Sequence, residues 1–330
     1  MKYKINIRKY SKWLILVAFV VVLTILKPKS FLTIGNISNV LWSISVVGLL
    51  TSGTIFTLLL GGIDLSVGSL MGLSACTTVL MIQKFGFTNQ GLVRGILCAL
   101  LIGVVAGCFH GIVVTLCNVQ AFLVTFATQS VFLGISQVLT NNKIISCLKP
   151  DLFTAIGLGR IGPFTFPIYL MTMVALISWY ILNKTVFGRY VYAVGGNREA
   201  AKNSGINDKM VSILCYVFSG VTASIGGVVL ASMTQQGMAS TGSGYETDVI
   251  TAAVIGGVSL LGGEGKIQDA IIGAVLVGLL NNGMNLVGVP STHQGLLKGM
   301  VIVIAVAIDI AGKYESKRKL FEFKKGRKVV

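Results

Sequence analysis

An all-α, polytopic membrane fold is what the sequence predicts, with about ten transmembrane helices, some broken or re-entrant, and both termini cytoplasmic. Three observations carry that expectation. Of 330 residues, 54% are hydrophobic and only 12% are charged, against roughly one-quarter charged in a soluble globular chain. The apolar residues fall in runs of the length that a helix needs to cross a bilayer. The basic residues gather at the two ends and in one interior loop.

The chain opens on a basic segment, 1–12, with Lys2, Lys4, Arg8, Lys9 and Lys12 and no acid. The apolar run from Trp13 to Leu26 imitates a secretory signal, but it ends in Lys27-Pro28-Lys29 without a small-x-small cleavage site. It reads as a retained first span. Spans are placed near 13–30, 40–60, 65–83, 95–117, 121–140, 164–183, 210–233, 247–262, 267–288 and 294–311. Glycine-rich stretches at 61–72 and 255–265 are where broken or re-entrant helices are expected. One transmembrane domain, 13–311, is followed by a basic tail, 312–330.

Orientation follows from charge, because Lys and Arg concentrate on the cytoplasmic side. With the N-terminus inside, nineteen of the 27 basic residues fall inside, in 1–12, in 184–209, at Lys266 and in the tail. An even number of spans and a cytoplasmic C-terminus follow. The longest inward loop, 184–209, and the outward loop, 141–163, are both too short for a soluble catalytic domain.

The formal charge of +16 does not make this a nucleic-acid binder. Its basic patches flank apolar runs and lack the interleaved aromatics on which bases stack. Cys76, Cys98, Cys108, Cys117, Cys147 and Cys215 contain no C-x-x-C pair, and all but Cys147 lie in apolar stretches. They read as small core residues. The only histidines are His110 and His293, so no metal centre is expected.

Two glycine patterns are set aside on context. Gly157-Leu158-Gly159-Arg160-Ile161-Gly162 spells a dinucleotide fingerprint, but it precedes Pro163 in a short outward loop, not a strand-to-helix turn. Gly265-Lys266 runs into Ile267, with Leu260 where a phosphate loop needs its first glycine. The chain is therefore not expected to hydrolyse ATP, to act as an enzyme or to hold a cofactor.

The inward loop reads Gly195-Gly196-Asn197-Arg198-Glu199-Ala200-Ala201-Lys202-Asn203-Ser204-Gly205-Ile206. Asn197 suits an N-cap, Glu199 a first helical turn and Gly205 a left-handed stop. These residues alone fit a solvated connector as well as a docking helix. Glu199-Ala200-Ala201 followed by Gly205 resembles the EAA-x-x-x-G loop by which permeases of ATP-binding-cassette importers engage their ATPase.

Three more stretches resemble ribose-type monosaccharide permeases. They are Gly61-Gly62-Ile63-Asp64-Leu65-Ser66-Val67-Gly68-Ser69, Thr241-Gly242-Ser243-Gly244-Tyr245-Glu246, and the stretch from Leu280 to Val289 containing Asn281, Asn282 and Asn285. The likeness runs from about residue 30 to 311; region 141–165 and the tail match least. It implies a multi-pass cell-membrane permease, with a cytoplasmic ATPase on the 197–206 helix, an external sugar-binding protein and a second permease subunit. Rival readings are a branched-chain amino-acid permease of the same class and an ion-coupled secondary transporter.

The residues point the same way. Gly61 and Gly62 can break a helix, leaving Asp64 to cap the next one through the N–H of Ser66 or Val67. Asp64 is expected at an inner helix end, in an architectural role; direct sugar contact is the alternative. Asp64, Glu246, Asp248, Glu264, Asp269 and Asp309 map to span ends or short connections, which weakens the ion-coupled reading. Asn281 and Asn285 share a helix face. The three asparagines either bond between helices or line a hydrated sugar path.

Overall fold

In this computed structural model, residues 7–290, 292–300 and 303 are described. The helices in the first half are α1 (Ile7–Leu26), α2 (Ile34–Leu59), α3 (Val67–Lys84), α4 (Asn89–Leu116) and α5 (Ala121–Thr140). Next come β1 (Ile145–Ser146), α6 (Asp151–Leu158), β2 (Arg160–Ile161), β3 (Phe164–Thr165) and α7 (Phe166–Lys184). The chain continues through α8 (Val186–Gly196), α9 (Arg198–Asn203), α10 (Asp208–Thr234), β4 (Gln236–Gly237), α11 (Tyr245–Gly256) and α12 (Ile267–Val287). A further helical stretch covers 292–300.

Among the described residues, six helices are long and apolar enough to cross a membrane: α2, α4, α5, α7, α10 and α12. The other four expected spans fall on α1, α3, α11 and the 292–300 stretch. The first, 13–30, overlaps the 20-residue α1, which ends at Leu26. The expected 65–83 span is the 18-residue α3, which starts after a break. The expected 247–262 span stops at Gly256 after 12 residues, because Gly257 takes φ 93° and turns the chain out of the helix. The last, 294–311, lies mostly outside the described residues.

Helices α2 and α10 form the core. Their apolar windows are 83% and 67% buried, while that of α5 is 22% buried and faces outward. Side-chain size explains how closely α4 meets α10. Gly103, Gly107 and Gly111 recur at four-residue spacing, and a Cβ on any of them would strike the backbone of α10 at Gly220, Tyr216–Val217 or Ile213. Without a hydrophobic force between helices in lipid, small residues that admit such approach hold the pair together.

Short strands stitch the end that carries α6. β1 pairs antiparallel with β4, and β2 with β3. The dinucleotide-like pattern lies here, ending α6 and entering the β2–β3 hairpin, so no helix N-terminus is offered to a phosphate. At the opposite end, Ile55, Leu58 and Leu59 of α2 pack with Val191 and Val194 of α8, Ala201 of α9 and Val211 of α10.

Candidate functional site: two chain breaks inside the bundle

After α2, Gly61 with φ 77° turns the chain back into the bundle. Asp64, 1% exposed, then accepts hydrogen bonds from Ser66 N at 3.0 Å and Ser66 Oγ at 2.7 Å. Its other oxygen accepts from Ser219 Oγ at 2.8 Å. Thr125 of α5 holds the flanking backbone, donating to Ile63 O at 3.0 Å and accepting from Leu65 N at 3.2 Å. Unpaired backbone at this depth would be costly, and these side chains satisfy it. Asp64 therefore lies midway along α10 and not at an inner helix end, because the segment after Gly61 re-enters the bundle before α3 begins.

The second break joins α10 to α11. Gln235 takes φ 53°, and the chain then descends along α3. Gly237 packs on Cys76 and Val79, Ala239 on Gly72, and Gly242 on Gly68. Helix α11 thus begins beside the start of α3. Glu246 and Asp248 do sit in its first turn, but that turn is inside the bundle, with exposures of 9% and 8%. Burial of these acids removes their position at the membrane surface as an argument against ion coupling. Glu246 accepts from Gly244 N at 3.1 Å, and Asp248 takes Lys298 Nζ, 50 residues further along the chain, at 3.1 Å.

The inward-loop motif forms α9. Asn197 Oδ1 caps it by accepting from Ala200 N at 2.9 Å, Glu199 stands in its first turn, and Gly205 takes φ 81° beyond its end. Arg198 pairs with Asp208 at 2.6 Å and reaches Ser212 Oγ at 3.3 Å, tying α9 to α10. Ala201 is buried, while Arg198, Glu199, Ala200 and Lys202 are exposed. The helix is anchored on one side and open on the other.

Three glycines distant in sequence, Gly61, Gly195 and Gly263, pack closely beneath it. Gly195 packs against Leu59 O and Gly263, Gly263 N donates to Leu59 O at 2.8 Å, and Gly61 faces Leu261. Tyr192 of α8 donates to Gly265 O at 2.8 Å. Burial, aided by the Asp269 carboxylate, pushes the Tyr192 hydroxyl above its ordinary pKa and keeps its proton in place. The first break, the inward loop and the 257–266 connection thus form one packed unit.

The three asparagines stand in the last turns of α12, away from the breaks. Asn282 exchanges hydrogen bonds with Asn36 of α2, at 2.9 and 3.2 Å. Asn285 Oδ1 accepts from Gln294 Nε2 at 2.8 Å, and Asn285 is exposed. Asn281 Oδ1 is buried with no hydrogen-bond partner among the described residues.

Sequence reasoning missed Ser219, Thr125 and Gln129. A hydroxyl or amide in an apolar run signals burial but not its partner. His110, 1% exposed, is also a packing residue, with its Nε2 2.7 Å from Thr128 Oγ1.

Residues 36–306 match the family described as "Branched-chain amino acid transport system / permease component". The ribose import permease protein RbsC of Escherichia coli (strain K12) is 38% identical over 89% of this chain and 92% of its own. RbsC of Bacillus subtilis (strain 168) is 38% identical over 92% of each chain. The D-allose transport system permease protein AlsC of Escherichia coli (strain K12) is 33% identical over 91% of each. No solved structure matches.

Proposed function

Because the chain belongs to the branched-chain amino acid transport system permease component family, we infer that it is the multi-pass permease subunit of an ATP-binding-cassette importer in the cell membrane, carrying a monosaccharide. The observation that carries this is nearly full-length likeness to permeases for ribose and allose, a pentose and a hexose. A branched-chain amino acid is the cargo in the family's description, but these relatives all carry sugars.

The chain supplies the passage and not the chemistry. A cytoplasmic ATPase docks on the open side of α9, around Glu199, Ala200 and Lys202. Residues 1–12 and 312–330 then lie in the cytoplasm, which agrees with the charge distribution. An external sugar-binding protein meets the α6 end, and a second copy or close homologue completes the pore. Coupling requires a two-state element that nucleotide binding biases. Gly195 against Leu59 makes the first break that element. Displacement of α9 passes through α8 to the end of α2, and from there to Asp64 and α3. Asn285 and Asn281 flank the passage at the external end, while Asn282 ties α12 to α2.

The test is reconstitution of the full chain with an ATP-binding-cassette ATPase and a sugar-binding protein, followed by uptake of labelled ribose, allose and leucine. ATP-dependent sugar uptake is expected. Leucine uptake, or gradient-driven uptake by the chain alone, overturns the assignment.

A further inference from the structure

The motif from Thr241 to Glu246 has no role so far, yet its placement is unusual. Gly242 packs on Gly68 at the start of α3, and α3 runs beside the middle of α10, where Ser74 bonds Ser224 at 3.0 Å and Met71 meets Gly226. Non-helical backbone from Met238 to Gly244 therefore lies near mid-depth of the longest spans. Ser240, Ser243 and Gly244 on it, and Thr247 in the first turn of α11, are exposed. Irregular, polar backbone at that depth is stable only against protein or water, never against hydrocarbon.

Behind this face stands a buried carboxylate. Glu246 holds Gly244 N with both oxygens, at 3.1 and 3.2 Å, and so shapes the turn that starts α11. Half-buried Gln129 of α5 brings its amide Nε2 to 3.5 Å from the same carboxylate. Thr241 Oγ1 is buried without a partner among the described residues. The site combines hydroxyls and an amide, which exchange hydrogen bonds with a polyhydroxylated solute as water does. Glu246 is a positioning residue, already engaged by the backbone.

We propose that the face of residues 240–247 carrying Ser243 and Thr247, with Gln129 beside it, lines the water-filled passage and holds sugar hydroxyls halfway across. This rests on the monosaccharide-permease reading and adds the residues that touch the cargo. It also explains why α11 is short: a full-length helix would close the passage that its missing first half leaves open.

The test uses the full chain in native membranes with its partners, with the six native cysteines replaced by alanine. Ser243→Cys, Thr247→Cys and Ser240→Cys are treated with a charged methanethiosulfonate, alongside Leu101→Cys, whose exposed side chain faces outward from α4. The passage positions should react at least about tenfold faster than Leu101→Cys, because the reactive thiolate forms in water and not in hydrocarbon. Ribose with the binding protein should slow that reaction. Rates equal to Leu101→Cys at every position that accumulates normally overturn the proposal, even if ribose uptake is intact. Disulfides between copies at Thr247→Cys without reagent modification also overturn it, making the face a subunit interface. Fast modification that no sugar slows keeps the passage and removes the sugar contact. Uptake by the unsubstituted complex, measured separately, tests the importer assignment.

Discussion

Ser219, midway along α10, donates a 2.8 Å hydrogen bond to Asp64 in the break between α2 and α3. That bond fixes a non-helical turn to one of the two core helices. Asp64→Ala should strip acceptors from Ser66 and Ser219, costing roughly 1–3 kcal/mol for groups left unpaired in the interior. Ser219→Ala leaves one Asp64 oxygen unpaired but keeps the two bonds from Ser66, and should cost less. Thermal stability in detergent should therefore fall in that order, with abundance following. Normal abundance of Asp64→Ala together with altered sugar preference would move Asp64 from architecture into the passage.

Gly205 takes φ 81°, and a Cβ there would meet nothing within 4 Å. Gly205→Val therefore acts through backbone strain alone, about 1–3 kcal/mol for a β-branched residue in that region. The variant should insert normally while losing sugar-stimulated ATP hydrolysis in the co-purified complex. Glu199→Arg, at an exposed position in the first turn of α9, should weaken the same contact. Wild-type coupling in both would remove α9 as the docking element.

Gly107 packs its Cα against the backbone of Tyr216 and Val217. Gly107→Val should push α4 and α10 apart at a cost of roughly 1–3 kcal/mol, the usual penalty for overpacking. Gly134→Val, where nothing lies within 4 Å, is the control and should be near neutral. Equal melting temperatures for the two variants would contradict close packing at this crossing.

Asn285 and Asn282 should separate function from stability. Asn285→Leu, at an exposed position, should lower transport while the protein accumulates. Asn282→Leu removes the donor to Asn36 Oδ1, leaves the Asn36 side chain with its bond to Phe31 O alone among the described residues, and should lower abundance first. The reverse pattern would exchange their roles.

Orientation has a direct check. Lys202 on α9 and Phe87, beyond the far end of α3, are both exposed. Phe87→Cys should label from outside intact cells and Lys202→Cys should not. Labelling of Lys202→Cys would invert the topology.

Much of this protein was legible in the chain. Apolar runs marked α2, α4, α5, α7, α10 and α12 because hydrocarbon demands length and composition, both of which are properties of sequence. The break at Gly61–Gly62 and the cap at Asn197 were legible because a turn or a cap is a local event. Tertiary structure alone decided depth and partnership. Asp64 looked like a residue at a helix end, yet the re-entry after Gly61 carries it inward to Ser219. Residues 247–262 looked like a span, yet Gly257 ends α11 early, and the preceding ten residues descend along α3 without helical structure. Hydropathy records how much a residue prefers lipid, but not which helix will be beside it. The meeting of Gly68 with Gly242 and of Gly195 with Leu59 depends on contacts between residues far apart in the chain, which only the packed bundle brings together.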